Sequence, residues 1–151
     1  MKQIYLQNTI EIALVDDEDF VKLMGIGPWY LHKGQVVLHG RKGGRSIAHF
    51  ILDAGCNEID HINHNTLDNQ KSNLRVATRS QNCANRRKFK NNKSGYIGVI
   101  WHKHIQRYQA YISKDKKITH LGSFDDPIKA AQVRDAKAKE LFGEFAKLNF
   151  P

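Results

Sequence analysis

The chain of 151 residues has little cysteine and little proline: Cys56, Cys83 and three prolines in all. Two thiols without a CxxC pair exclude a disulfide scaffold and a four-cysteine zinc site, and they are typical of a reducing compartment. A lone Cys usually behaves as a small apolar side chain, so we expect both cysteines to be buried filler.

Long apolar runs are also missing. The first twenty residues lack the unbroken apolar stretch of a signal peptide and soon become acidic, which predicts a cytoplasmic protein without a membrane partner. A chain of this length can form one medium domain or a few small modules.

Acidic residues are absent from residues 69–114, which contain eleven Lys and Arg. The preceding residues 54–68 contain three acids and no Lys or Arg, and the two ends of the chain are close to neutral, so the excess behind the net charge of +9 is local. A basic stretch of this kind is typical of contact with a phosphate backbone. A membrane surface is disfavoured because the stretch has no amphipathic apolar face. We therefore expect a nucleic-acid partner.

Four polar residues stand just before and within the basic stretch: Asp60, His61, Asn73 and Asn82. Hydrolysis of a phosphodiester needs a base to deprotonate water and a cation to take up charge on the leaving oxygen. Histidine suits the base because its pKa is near neutrality. Carboxylate and amide oxygens suit Mg²⁺, or another divalent cation such as Mn²⁺.

The residues around these four predict a strand over 57–62, a polar turn over 64–69 and a second strand over 73–78. Thr78 followed by Gln81 forms a capping box, which predicts a helix that begins near Arg79. Asn82 would then lie in the first helical turn, where it can face the hairpin.

The segment DHINHNTLDNQKSNLR resembles the core of the HNH (ββα-metal) endonucleases of phages and introns. The resemblance implies that His61 is the general base, that Asp60 and Asn82 are metal ligands, and that Asn73 ties the long turn together. It departs from the family at His64, where Gly is usual and often has a positive φ angle, and at Gln70, where a basic residue is usual.

Residues 94–151 carry a second resemblance, through Gly98-Val99, Leu121-Gly122-Ser123-Phe124, Asp135 and Leu148-Asn149-Phe150. They resemble the DNA-binding domain of plant ethylene-response factors (the APETALA class). The resemblance implies a three-stranded antiparallel sheet that packs on one helix and lies in the DNA major groove. Independently, Asp126-Pro127 and Gly143 predict the two ends of a helix over 127–142.

The expected fold class is α+β: a β-rich region over 1–47, an HNH unit over 48–87, a basic linker over 88–93 and the DNA-binding domain over 94–151. Strands over 10–14 and 35–39 would surround a short helix that begins after Asp17, with Trp29 and Tyr30 in a small core.

The expected function is a metal-dependent DNA endonuclease, phage-encoded or of the homing type, that acts as a monomer or homodimer on double-stranded DNA in a bacterial or phage-infected cell. It would hydrolyse phosphodiesters, by nicking or double-strand cleavage. The alternative is a non-catalytic DNA-binding regulator that uses the HNH unit as a platform. The expected DNA contacts are Arg75, Arg79, Arg86, Arg87 and Lys88 of the basic stretch, and His102, His104, Arg107, Gln109 and Tyr111 of the sheet.

Overall fold

A computed structural model describes residues 1–38, 44–88 and 92–151. The chain forms two compact units, Met1–Thr78 and Arg79–Pro151. Both contain helices and small antiparallel sheets, which confirms the α+β class. The division between the units falls inside the predicted HNH segment, and the predicted domain boundaries stay predictions. His39, in the predicted strand over 35–39, and linker residues 89–91 lie outside the described residues.

The first unit contains three two-stranded antiparallel hairpins and two helices in its described residues. In chain order its elements are β1 (Lys2–Tyr5), β2 (Ile12–Val15), α1 (Asp17–Ile26), β3 (Trp29–His32), β4 (Gln35–Leu38), α2 (Ile47–Leu52), β5 (Glu58–His61), a 3-10 turn (Lys71–Asn73) and β6 (Leu74–Ala77). The predicted short helix and both hairpin strands of the HNH segment are therefore present, but Asn73 lies in the 3-10 turn before the second strand. Helix α2 was not predicted.

One apolar core supports the first unit. Trp29 is almost fully buried at its centre, where its indole Nε1 donates to the backbone oxygen of Leu23 at 3.0 Å and its ring packs edge-on against Phe50. Leu74 of β6 belongs to the same cluster. The strand that carries one side of the HNH hairpin is thus anchored in the core of the first unit.

The second unit is a three-stranded antiparallel sheet with helices beside it. Its elements are α3 (Arg79–Ala84), β7 (Val99–His102), β8 (Arg107–Lys114), β9 (Lys117–Phe124), α4 (Pro127–Phe142) and a 3-10 turn (Gly143–Phe145), and the strand order is β7-β8-β9. The predicted bounds of α4 are confirmed, and the Asp126 carboxylate caps it by accepting from the Ile128 amide at 2.8 Å.

Small side chains allow α4 to approach the sheet closely. Ala130 and Ala131 pack on Val99 and Ala110, and all four are completely buried. The end of the chain is fixed to the same helix, because Asp135 accepts from the backbone amide of Asn149 at 2.6 Å. No helix within the described ranges has both the length and the apolar character needed to cross a membrane.

The two cysteines contradict the expectation of buried filler. Cys56 and Cys83 are both exposed and are free thiols. Cys56 lies in a turn after α2, and Cys83 is in α3, a helix of six residues with no buried position. In such short elements, composition alone does not fix which face meets the core.

Candidate active site

Strands β5 and β6 set Asp60 opposite Arg75 and His61 opposite Leu74. The Arg75 Nε and Nη2 atoms lie 2.8 and 2.7 Å from the same Asp60 oxygen, Oδ2. Both side chains are shielded, with 5% of the Asp60 side chain and 14% of the Arg75 side chain exposed. Arg75, expected among the DNA contacts, therefore engages Asp60.

Asn73 connects the two arms of the loop between β5 and β6. Its Oδ1 accepts from the Asn63 amide at 2.9 Å, and its Nδ2 donates to the backbone oxygen of Asp68 at 2.7 Å. Its own backbone oxygen accepts from the Ile62 amide at 2.9 Å. Asn73 is buried. One side chain thus fixes the loop geometry on both sides of the hairpin mouth.

The tip of this loop contains the two departures from the HNH family pattern. His64 adopts a φ of 63°, the left-handed region in which Gly is usual, and His tolerates that region better than most residues. Gln70 donates to an Asp16 carboxylate oxygen at 3.3 Å, and the Lys71 amide donates to the other at 2.7 Å. These contacts fix the loop to the residue that precedes α1.

His61 has a side-chain partner that the sequence analysis did not single out. Its Nε2 lies 3.2 Å from Oδ1 of Asn69, which is almost fully buried. The Asn69 Nδ2 donates to the Thr66 backbone oxygen at 3.1 Å, and this bond orients the amide so that its oxygen faces the imidazole. An acceptor at Nε2 places the proton of the neutral ring there, which leaves the lone pair on Nδ1.

The environment of His61 also favours the neutral ring. Burial lowers the pKa of His61 below its ordinary value, against the smaller opposing effects of the Asn69 hydrogen bond and the charges of Asp60 and Asp68. A neutral imidazole with a lone pair on a fixed nitrogen is able to accept a proton at neutral pH.

Asn82 lies in α3 of the second unit and is half-buried. Its pairing with Asp60 of the first unit as a ligand set stays a prediction. Among the described residues, no three His, Cys, Asp or Glu side chains converge as a metal cluster. The oxygen donors of Asp60 and Asn82 nevertheless fit Mg²⁺, which keeps several waters and is bound through one or two carboxylates rather than a full protein cage.

The polar residues expected to contact DNA lie on β7, on β8 and in the turn between them. The Tyr111 hydroxyl donates to Gln109 Oε1 at 2.7 Å, and the rings of His102 and His104 are 5.9 Å apart. Arg107 forms a bidentate ion pair with Asp125, with N–O distances of 2.9 and 3.0 Å. These five residues thus lie close together in the chain of the second unit, His104 in the turn and the other four on β7 and β8.

The remaining expected DNA contacts lie in and after α3. Arg79, Arg86, Arg87 and Lys88 are all exposed. Two of them make contacts with neutral groups: Arg86 Nη2 lies 3.3 Å from Cys83 Sγ, and Lys88 Nζ lies 3.3 Å from the backbone oxygen of Gly95. Four exposed cations form a basic surface of the second unit.

Comparison with known proteins gives one family and two viral relatives. The family described as HNH endonuclease matches residues 53–84. Over 91 residues the chain is 37% identical to "Uncharacterized HNH endonuclease L560" of Acanthamoeba polyphaga mimivirus. The aligned region covers 60% of this chain and 46% of that protein. Over 89 residues the chain is 32% identical to "Protein 3.8" of Escherichia phage T7. The aligned region covers 59% of this chain and 73% of that protein. The match therefore spans less than half of the mimivirus relative.

Proposed function

We propose that this chain, which belongs to the HNH endonuclease family, is a metal-dependent endonuclease of double-stranded DNA. The observation that carries the proposal is the setting of His61: a half-buried imidazole with a lowered pKa, its Nε2 beside the Asn69 amide oxygen, and the Asp60 carboxylate next to it in the chain. A regulator that only bound DNA would need neither a neutral imidazole nor a shielded carboxylate at the mouth of a hairpin.

In the proposed reaction, His61 accepts the proton of the attacking water at Nδ1. Asn69 keeps the imidazole in the tautomer that has its lone pair on this atom, since the Asn69 oxygen accepts from Nε2. Asn73 fixes the loop that follows His61, so the imidazole keeps its position during the attack. The water oxygen then bonds to phosphorus as the 3′ oxygen leaves and takes a proton from solvent water, which gives 5′-phosphate and 3′-hydroxyl ends.

Asp60 and Asn82 are the proposed ligands of the cation. When bound there, a divalent ion such as Mg²⁺ or Mn²⁺ would supply positive charge that stabilises the leaving oxygen. Arg75 neutralises part of the Asp60 charge through Oδ2 and fixes the orientation of the carboxylate.

We propose that the second unit binds the duplex, consistent with its resemblance to ethylene-response-factor domains. Support comes from the one-sided charge of residues 69–114 and the exposed cations Arg79, Arg86, Arg87 and Lys88. Contacts between such side chains and phosphates release counterions, so the affinity should fall steeply with salt. The polar residues of β7 and β8, including Gln109 and Tyr111, would contact base edges.

Cleavage of supercoiled plasmid tests the function. The parent chain with Mg²⁺ should convert the plasmid to open-circular or linear forms, and chelator should stop the conversion. His61→Ala should lower the cleavage rate by roughly 10²–10⁴-fold, the usual contribution of a positioned base. It should bind the same DNA as tightly as the parent in a gel-shift assay.

His32→Ala is the matched control, because His32 is an exposed histidine at the end of β3 in the same unit. This variant should cleave at the parental rate. If His61→Ala also cleaves at that rate under identical metal and salt, the proposed base is wrong. If the parent binds DNA but does not cleave it with any divalent metal, the regulator alternative is correct.

A further inference from the structure

The second unit contains a cavity of about 790 Å³ whose lining includes the exposed cations Arg79, Arg86, Arg87 and Lys88. It lies between α3, the chain that follows it, and the part of β8 beyond its pairing with β7. Its volume is within the range of roughly 300–1,000 Å³ that is usual for small-molecule sites. All of its lining residues belong to the second unit.

The cavity has an apolar wall and a basic lining. Ile112 and Phe142 are buried side chains in the wall, with Tyr111 and Ile118 beside them. Six of the lining residues are cationic and one, Asp115, is acidic; the cations are Arg79, Arg86, Arg87, Lys88, Lys116 and Arg134. The combination selects a ligand with a flat apolar part and at least one negative charge.

Arg134 provides a second observation that points to a ligand. Its side chain is 93% buried, since only 7% is exposed, and it lines the cavity. Its Nη1 is fixed by the Asp135 carboxylate at 3.1 Å and by the backbone oxygen of Lys147. Its Nε is buried and has no hydrogen-bond partner within residues 1–38, 44–88 and 92–151. A buried donor without an acceptor is costly, so an acceptor on a bound ligand would stabilise the site.

We propose that this cavity binds one unpaired nucleotide, with its base against the apolar wall and its phosphate among the cations. A fully paired duplex presents its phosphates on a convex surface and its bases in a stack, so it cannot fill a concave apolar wall. An unpaired base has a free π-face that stacks on aromatic and aliphatic side chains, and its phosphate meets Arg and Lys. The choice of nucleic acid as ligand rests on the proposed function, whereas the cavity and the unpaired Arg134 donor do not.

Cys83 offers a direct probe because it lines the cavity and its thiol is exposed. Cys56 is equally exposed in the first unit and does not line the cavity. Two full-length chains are compared, both with His61→Ala and chelator to prevent cleavage. Cys56→Ser leaves Cys83 as the reporter, and Cys83→Ser leaves Cys56 as the matched control. The measurement is the rate of alkylation by N-ethylmaleimide, with and without a single-stranded oligonucleotide of ten thymidines.

The oligonucleotide should slow alkylation of Cys83 about tenfold or more and leave the rate at Cys56 unchanged. A second measurement uses thymidine monophosphate in place of the oligonucleotide. If it also protects Cys83 from alkylation, the cavity binds free nucleotides; if only the oligonucleotide protects Cys83, the site binds a DNA strand. Equal rates at Cys83 with and without both ligands would overturn the proposal. Equal protection by poly-glutamate would also overturn it, because the site would then select charge only.

Affinity for DNA gives an independent readout. Fluorescence anisotropy compares a fully paired duplex with the same duplex carrying one unpaired thymidine. The unmodified chain should prefer the second duplex by roughly tenfold, as expected for one stacked base. Alkylation of Cys83 should remove this preference. If the unmodified chain does not prefer the duplex with the unpaired thymidine, the nucleotide site is contradicted even when the parent cleaves plasmid. Failure of the nucleotide site can therefore be distinguished from failure of the proposed nuclease function.

Discussion

Replacing Asn73 with Ala should destabilise the first unit by about 2 kcal/mol. The substitution removes two hydrogen bonds, to the Asn63 amide at 2.9 Å and to the Asp68 backbone oxygen at 2.7 Å. Each is worth about 1 kcal/mol net, and partial solvent access to the loop limits the further cost of the groups left without a partner. For a unit of residues 1–78, this loss lowers the melting temperature by about 8–16 °C.

Tryptophan fluorescence measures this change, because each unit contains one of the two tryptophans. Trp101→Phe removes the reporter of the second unit and leaves Trp29, which is 1% exposed, as the reporter of the first unit. Thermal melts of the Asn73→Ala chain in this background should show the shift, and plasmid cleavage below the transition should be slower because the loop after His61 is less well fixed.

Asn65→Ala is the matched control within the same loop. The Asn65 Oδ1 accepts from the Leu67 amide at 3.2 Å in an exposed turn, so its loss should cost about 0.5 kcal/mol or less. If Asn73→Ala and Asn65→Ala lower the melting temperature equally, Asn73 does not fix the loop as argued. An unchanged Trp29 transition in the Asn73→Ala chain would refute the reasoning in the same way.

Two further outcomes are expected. Burial lowers the pKa of His61 below 6.5 despite the charges of Asp60 and Asp68, so the base is neutral in the folded chain above pH 6.5. We therefore expect log kcat/KM to stay flat above pH 6.5 and to fall as the pH decreases through the lowered pKa. An acidic inflection above pH 6.5 would contradict the assignment of His61 as the base. Gly98→Ala should destabilise the second unit by about 2 kcal/mol or more, since the φ of Gly98 is 72° and a Cβ would lie 2.6 Å from a backbone oxygen of β8. Gly95→Ala is the control, because Gly95 has a φ of 80° but no neighbour within 4 Å, so this variant shows only the backbone strain of about 1 kcal/mol. Equal melting temperatures for the two variants, measured by Trp101 fluorescence, would exclude the steric clash.

Local patterns in the sequence were sufficient for the elements around the site. The alternation of apolar and polar residues predicted the hairpin strands β5 and β6. The pair Asp126-Pro127 and Gly143 predicted the two ends of α4. These signals concern residues within a few positions of each other, where backbone geometry and capping decide the structure. The same reasoning failed for Cys56 and Cys83, because exposure depends on what packs against a short element.

The partners of the site residues depended on contacts that local patterns do not encode. Asn69 follows His61 by eight positions and becomes its hydrogen-bond partner only because the loop folds back on itself. Gln70 reaches Asp16 across 54 positions. The Asp60 and Arg75 pair follows from strand register, which a shift of one residue would abolish.

The sequence by itself determined the chemical inventory of this protein: a histidine, a carboxylate and two amides in the HNH order, followed by a stretch of cations without acids. Side-chain type and order suffice for that inventory because they fix which groups can accept a proton, coordinate a cation or contact phosphate. Tertiary structure alone decided the tautomer and lowered pKa of His61, and the cavity beside Arg134. Burial and hydrogen-bond geometry arise only when distant segments pack together, and they set the state in which each group is available.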